Sequence, residues 1–485
     1  MRRYSVKAYS IQTELMDHQK KAVGKLLPIR VGALFMDMGT GKTLTAMEII
    51  RHRTEKIDHV VWTCPVSLKR TIAAEIKKHI PDASVFVFDD KVTDATLPDA
   101  DWYIVGLESV GSSERVFLAL NKLVTENTFV VVDESLYIKS PTAKRSRRMI
   151  ETCKRSRYRL ILTGTPMTQG SQDLFTQMYF LSPQILGYRS FYSFAQKHLV
   201  YDDKYPDRVV AVVGEEQLAA QVNPYAYQIT KEECLDLPEK TYSEVRIGMS
   251  PNEFDSYNWL KDYYINKIAE VEEEKNFNPE QISLLIFGLY TGLQKVLSGW
   301  RWDVMKDRFS EEKEIPRQRL DALVQSIEAI KGEEKVIIWA KFKHDLKVIG
   351  DRLTEHFGKD SWVEFSGSKT EEEKAAAVDK FRKDARFFIA TPSSGGHGLT
   401  LNEACYVVYY NNSFKFSERL QSEDRCHRIG QTRKVTYIDI VTEHSIDRKI
   451  LDTLTKKGDS LYTFQDELNE IKNDKEKIKE YIKQL

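Results

Sequence analysis

Met36-Asp-Met-Gly-Thr-Gly-Lys-Thr43 follows the apolar run Gly32–Phe35 and precedes a helical stretch, Leu44–Arg51. Glycines at a strand-to-helix turn let backbone N–H groups point inward around phosphate oxygens, and the start of the helix adds its partial positive charge. In such a loop Gly39, Thr40 and Gly41 form the cradle, Lys42 reaches the β- and γ-phosphates of ATP, and the Thr43 hydroxyl sits on Mg²⁺. The longer form of the pattern has glycine where this chain has Met36, so the short G-x-G-K-T core is what remains. Strand, phosphate loop and helix in that order open an α/β lobe, and the rest of the chain is read outward from it.

Phe129-Val-Val-Val-Asp-Glu134 is a second apolar run, and it ends in two carboxylates. Asp133 stands where a Mg²⁺-holding acid belongs, and Glu134 beside it can orient and deprotonate an attacking water. A helix N-cap is the plain alternative for such an acid; the phosphate loop upstream favours the catalytic reading. Leu160-Ile-Leu-Thr-Gly-Thr-Pro166 runs into a hydroxyl-rich turn, where Thr163 and Thr165 can bond to the acidic pair and report the γ-phosphate. A simple turn explains that segment equally well in isolation. Farther on, Gln421-Ser-Glu-Asp-Arg-Cys-His-Arg-Ile-Gly-Gln431 sets Arg425 and Arg428 three apart, which on a helix puts both on one face. Two guanidinium forks suit the transition-state charge of a transferring phosphoryl group. A solvated face paired with Glu423 and Asp424 is the bland reading of Arg-x-x-Arg alone. Here it follows the loop Ser394-Gly-Gly-His-Gly-Leu-Thr-Leu401, in which Gly396 and Gly398 permit close backbone contact. The ordered set carries the reading, not any one member.

Around these motifs the chain alternates apolar runs with helical stretches. Gly32–Met36, Val60–Thr63, Ser84–Phe88, Trp102–Val105, Phe129–Val132 and Leu160–Leu162 form one series; Val336–Trp339, Trp362–Phe365, Arg386–Ala390, Tyr406–Tyr410 and Val435–Val441 form another. Runs without polar alternation are central strands covered on both faces, so the fold class is α/β with two parallel-sheet lobes. Asn252–Trp300 has helical spacing and reads as an insertion between them, Asp236-Leu-Pro-Glu-Lys240 as a turn, and the Lys/Glu-rich end from Thr463 as a solvated helix. The 485 residues exceed one ordinary core, and 41% hydrophobic content is that of a globular protein. No apolar run approaches the roughly 20 residues a bilayer needs, and Met1–Ser10 lacks a signal-peptide core, so a cytoplasmic location without membrane contact is expected. Five scattered cysteines with no Cys-x-x-Cys argue against a disulfide framework or zinc site. With 72 basic and 72 acidic residues, nucleic-acid binding has to come from local patches. Lys139, Lys144, Arg145, Arg147 and Arg148 form one such patch, able to follow a phosphate backbone with little sequence specificity; a solvated helix face is its bland alternative.

Taken in order, these motifs resemble a Swi/Snf-type DNA-dependent ATPase, a branch of helicase superfamily two, over about Leu15 to Val441. Leu15-Met-Asp-His-Gln19 is similar to the family's glutamine motif, Val61-Trp-Thr-Cys-Pro65 to a strand-ending motif, and Leu237-Pro-Glu-Lys240 and Phe365-Ser-Gly-Ser368 to two others. Arg428-Ile-Gly-Gln431 after its spacing is highly specific. The Asp-Glu-Ser at Asp133 is reminiscent of the annealing-helicase and phage-type branch. Leu136, Gln228, Ile229 and Phe414 depart from the family pattern, which suggests a divergent member that still hydrolyses ATP.

The resemblance implies RecA-like lobes at 1–183 and 316–450, a linker and Swi/Snf-type insertion at 184–315, and a helical tail at 451–485. It implies ATP and Mg²⁺ as cofactors, Gln19 on the adenine edge, Gln421 at the nucleotide and Pro65 on a DNA phosphate. The expected function is a monomeric, ATP-driven motor on duplex or forked DNA that remodels or reanneals it in replication, recombination or repair, in a bacterial or phage setting. A strand-separating helicase on DNA or RNA is the enzyme alternative; a non-catalytic, ATP-switched clamp is the alternative of another class.

Overall fold

The computed structural model describes residues 6, 8–89, 91–167, 170–201, 209–272, 279–303, 308–310, 318–395, 399–456, 467 and 474–485. They divide into two compact units, 1–236 and 237–485. The segment between the two series of apolar runs is thus shared, its first part with one unit and its second with the other.

In the first unit the strands are β1 (Val31–Met36), β2 (Val60–Cys64), β3 (Val85–Val87), β4 (Trp102–Gly106), β5 (Phe129–Asp133) and β6 (Tyr158–Thr163). The short pair β7 (Leu199–Tyr201) and β8 (Val209–Val212) forms a separate antiparallel ribbon, and β9 (Ala226–Ile229) returns to the main sheet. That sheet has the order β3-β4-β2-β5-β6-β1-β9, with every pair parallel. Alternate residues feed two cores. Val130 and Val132 join one cluster with Phe35, Val105 and Phe175, while Phe129 and Val131 join the other with Met36, Trp62 and Ile50. Helices on both faces therefore explain why these strands read as unbroken apolar runs.

The second unit repeats the plan. Its strands are β10 (Lys240–Ile247), the hairpin β11 (Arg301–Asp303) and β12 (Arg308–Ser310), then β13 (Val336–Trp339), β14 (Trp362–Phe365), β15 (Phe387–Ala390), β16 (Tyr406–Tyr409) and β17 (Val435–Thr442). The main sheet runs β10-β17-β16-β13-β15-β14, again all parallel. Two parallel sheets with helices on both faces are the expected α/β architecture. Two strands were not foreseen: β9 lay in a stretch read only as linker, and β10 starts inside the expected turn at Lys240. Both are edge strands, and β10 is mostly polar, with Val245 and Ile247 packed on the core, so neither carries a buried-strand signature.

The helical insertion is present as Pro251–Glu272 and Pro279–Leu297. It packs on this unit through Leu289, Tyr290 and Leu293, in one cluster with Ile446, Ile450 and Leu454. The same cluster takes in the chain's end, which corrects the solvated tail. In helix Lys475–Gln484, Ile478 and Ile482 are buried with Leu485, and the Tyr257 hydroxyl donates to the Leu485 carbonyl at 2.8 Å. The apolar stripe at i, i+4 and i+7 is narrow, and the lysines and glutamates between its members hid it. Ile482→Ala is expected to cost about 2–5 kcal/mol of local stability and to expose the tail lysines to limited trypsin digestion; unchanged digestion would mean the helix is held by other contacts. No helix among the described residues is long and apolar enough to cross a membrane.

Candidate active site

Strand order brings the motifs together. β6 lies between β1 and β5, with Phe35 opposite Thr163 and Asp133 opposite Leu162. The phosphate loop after β1, the acids at the end of β5 and the threonine turn after β6 therefore share one end of the sheet. In such a sheet ligands bind outside the carboxyl ends of the strands.

The loop is built as a cradle. Gly39 and Gly41 have φ of 82° and 86°, left-handed values that favour glycine. A Cβ on Gly41 would lie 2.0 Å from Gln19 Nε2. That amide donates to the carbonyls of Thr40 and Gly41 at 3.2 and 3.4 Å, and the buried His18 ring meets the same Thr40 carbonyl at 2.8 Å. Gln19 is thus at the loop, with His18 as a partner that sequence reading missed. Thr40 is buried, and its hydroxyl donates to the Asp37 carbonyl at 2.7 Å. The helix Lys42–Arg51 begins with no side-chain cap, so its first N–H groups remain available to an anion. Lys42 Nζ donates to the carbonyls of Met36 and Asp37 at 2.9 and 3.3 Å and forms no ion pair with a described residue. Gly41→Ala is expected to weaken ATP binding about tenfold or more, since a left-handed alanine alone costs roughly 1–2 kcal/mol. Titration with a fluorescent nucleotide checks this, and an unchanged Kd would mean that the loop is not the phosphate cradle.

Asp133 and Glu134 are both buried. Asp133 accepts from Trp62 Nε1 at 3.4 Å and from the Glu134 N–H at 3.0 Å. Burial, then the Glu134 charge, pushes the Asp133 carboxyl up to about 7, against the pull of Lys42. Glu134 has φ 54° and ψ 57°. A side-chain-bearing residue held in the left-handed region is a local strain that tends to accompany function. Fixed acid, opposed ammonium, uncapped helix start and the Thr43 position after Lys42 together fit a Mg²⁺-nucleotide. Thr163 is buried and its hydroxyl accepts from the Thr165 N–H at 3.2 Å. A Cβ on Gly164, between them, would meet Met38 N at 3.3 Å, so this turn closes directly on the phosphate loop. The Lys231 N–H donates to Asp37 Oδ2 at 3.0 Å, tying the end of β9 to the same loop.

In the second unit Arg425 and Arg428 come together, but not by helical spacing. The helix Phe416–Glu423 ends before them, and within it Arg419 and Glu423 turn inward to a buried network with Asp439 and Lys240. Both guanidinium groups instead donate to the Leu399 carbonyl, at 3.3 and 3.0 Å. Arg425 Nε also holds the Gln421 carbonyl at 2.9 Å. Gly396 and Gly398, just upstream of Leu399, lie outside the described residues.

The basic segment is less open than its sequence suggests. Arg148 is buried, donating to the Val110 and Ser113 carbonyls and pairing with Glu114. Lys139 pairs with Asp173 at 3.2 Å, and Arg145 donates to the Tyr137 carbonyl at 2.7 Å. Lys144 and Arg147 are exposed, while Pro65 is buried where β2 ends. The stripe therefore presents two of its five cations outright.

A family model described as "SNF2-related domain" matches residues 16–297, and one described as "Helicase conserved C-terminal domain" matches 318–430. The chain is 25% identical to the mouse "DNA annealing helicase and endonuclease ZRANB3", over 96% of this chain and 42% of that protein. It is 25% identical to the yeast "ISWI chromatin-remodeling complex ATPase ISW1", over 92% of this chain and 40% of that one. It thus spans less than half the length of these curated relatives. A solved structure, "Sulfolobus solfataricus SWI2/SNF2 ATPase core in complex with dsDNA", is 22% identical with a TM-score of 0.45, covering 98% of this chain and 96% of that one.

Proposed function

The chain belongs to the SNF2-related family, and from that premise we propose that it is an ATP-driven translocase on duplex or forked DNA. The observation that carries this reading is the buried, left-handed Glu134 beside Asp133, with only β6 between their strand and the strand that leads to Lys42. Gly39, Thr40, Gly41 and Lys42 hold the phosphates, with Gln19 and Gln421 at the rest of the nucleotide. Thr43 and Asp133 hold Mg²⁺, which when bound screens the phosphate charge. Glu134 aligns the attacking water and accepts its proton. Arg425 and Arg428 stabilise the charge that develops on the γ-phosphoryl group. Thr163 and Thr165, which flank the Gly164 that closes on the phosphate loop, report the loss of the γ-phosphate.

Binding and release of the γ-phosphate then alternate the grip on DNA, with Lys144 and Arg147 as exposed phosphate contacts and the chain at the end of β2, beside the buried Pro65, as a further contact. The motor is proposed to be cytoplasmic and to reanneal or remodel DNA in replication, recombination or repair; of these, reannealing is supported by the similarity to the mouse protein, an annealing helicase. Hydrolysis of ATP, measured at fixed salt without nucleic acid and then with single-stranded, duplex and forked DNA and with RNA, tests the proposal. Stimulation by duplex or forked DNA is expected. Stimulation by single strands or RNA alone would replace it with a strand-separating helicase, and no turnover on any of them with an ATP-switched clamp.

A further inference from the structure

The first unit carries a cavity of about 810 Å³ that none of the ATP-site residues lines. It opens between the helices Lys144–Cys153, Asp173–Leu181 and Phe191–His198. Its floor is aromatic. Phe175 and Phe180 are buried, and Phe191 and Tyr179 stand half-buried above them. The rings meet each other tilted or edge-on, Phe175 to Tyr179 at 5.5 Å and 30° and Phe175 to Phe191 at 5.4 Å and 66°.

The charge around that floor is predominantly positive. Arg147, Lys154, Arg159 and Arg189 all line the cavity, and none of the four forms an ion pair with a described residue; Glu151 is the only carboxylate in the lining. Arg159 is the telling member, for it is mostly removed from water. One of its NH groups donates to the Cys153 carbonyl at 3.2 Å, but its buried Nε has no partner. Thr176, 1% exposed and also in the lining, has an orphaned buried hydroxyl oxygen. The half-buried Arg159 guanidinium, with one carbonyl bond and no ion pair to a described residue, retains N–H donors that an anionic ligand would satisfy.

We propose that this cavity docks an acidic peptide segment of a partner protein, anchored by one apolar side chain on the aromatic floor. Charge complementarity selects the acidic flanks, and the apolar floor selects the anchor. Duplex DNA, with its broad convex backbone, reaches the exposed cations at the rim of this cavity but not its aromatic floor. A single strand stacks its bases on ring faces, whereas these rings are turned against one another. The site lies apart from the phosphate loop, so it adds a recruitment surface to the motor without altering its chemistry.

The full chain titrated with short fluorescent peptides tests this, each made of aspartates and glutamates around a single Phe, Trp, Leu or Ile placed centrally or at the C-terminus. At low salt at least one is expected to bind. Arg189→Glu and Phe191→Ala should each weaken that binding about tenfold, as should a peptide whose anchor is replaced by Ser. Arg159→Met should do the same, and if that interior change unfolds the unit, the two rim variants carry the test. ATP hydrolysis of both rim variants should match the parent, which separates this site from the motor reading. Failure of every peptide to bind, or binding that none of the variants weakens, overturns the proposal. Oligothymidine binding that depends on Arg189 and Phe191 and is not displaced by peptide overturns it in favour of a nucleic-acid site.

Discussion

Glu134→Gln is expected to leave ATP binding intact and to slow its hydrolysis about a thousandfold, the middle of the range that a positioned general base supplies. The substitution keeps the length and shape of the side chain, so the left-handed turn at φ 54° and the hydrogen bond from its N–H to Asp133 are undisturbed. What it removes is the capacity to accept a proton from water. The carboxylate of Asp133 does not substitute, because it is buried and its proposed partner is the metal. Single-turnover hydrolysis and nucleotide titration are both needed. Hydrolysis at the parent rate would remove Glu134 from the mechanism, and loss of ATP binding would recast it as a structural residue. The variant should also hold DNA more tightly in ATP than the parent does, since the bound-phosphate state no longer decays.

The parts of this site that were legible in the sequence are the local ones. A glycine loop between strand and helix, or two acids at the tip of an apolar run, is decided by a handful of adjacent residues, and the structure places Asp133 and Thr163 on neighbouring strands and Lys42 in the helix that follows the next one. What escaped depends on distant partners. The edge strands β9 and β10 gain their pairing from β1 and β17 and lack the apolar run that marks a central strand. Arg425 and Arg428 converge on the Leu399 carbonyl through a turn, so helical spacing gave the right neighbours for the wrong reason. Arg148 looked like one more cation in a basic run, yet the carbonyls of Val110 and Ser113 draw it inward. Charge in a sequence says nothing of which side of a helix faces the protein when the acceptors lie tens of residues away.

Arg319 is the strongest case of that kind, and its replacement has the largest expected effect on stability. In the helix Gln318–Glu328 it reads as an ordinary solvated cation, yet it is 1% exposed. Its guanidinium donates to the carbonyls of Leu297 (3.1 Å), Tyr410 and Ile440 (3.1 Å) and to Thr442 Oγ1 (2.9 Å), and it pairs with Asp447. One side chain thereby joins the end of the helical insertion to β17, to the residue after β16 and to the helix Ile446–Thr455. Arg319→Met strands a buried carboxylate and four acceptors, which should cost about 3–5 kcal/mol. For a unit of this size that corresponds to a fall in Tm of roughly 10 °C. Because the chain has two compact units, calorimetry should show the loss in one transition and leave the other, which carries the phosphate loop, where it was. Adding Asp447→Leu to Arg319→Met removes the stranded charge and should recover part of the loss. A double variant as unstable as the single one would mean that the backbone and hydroxyl acceptors, not the ion pair, dominate, and an unchanged transition would show that the arginine is not a structural keystone.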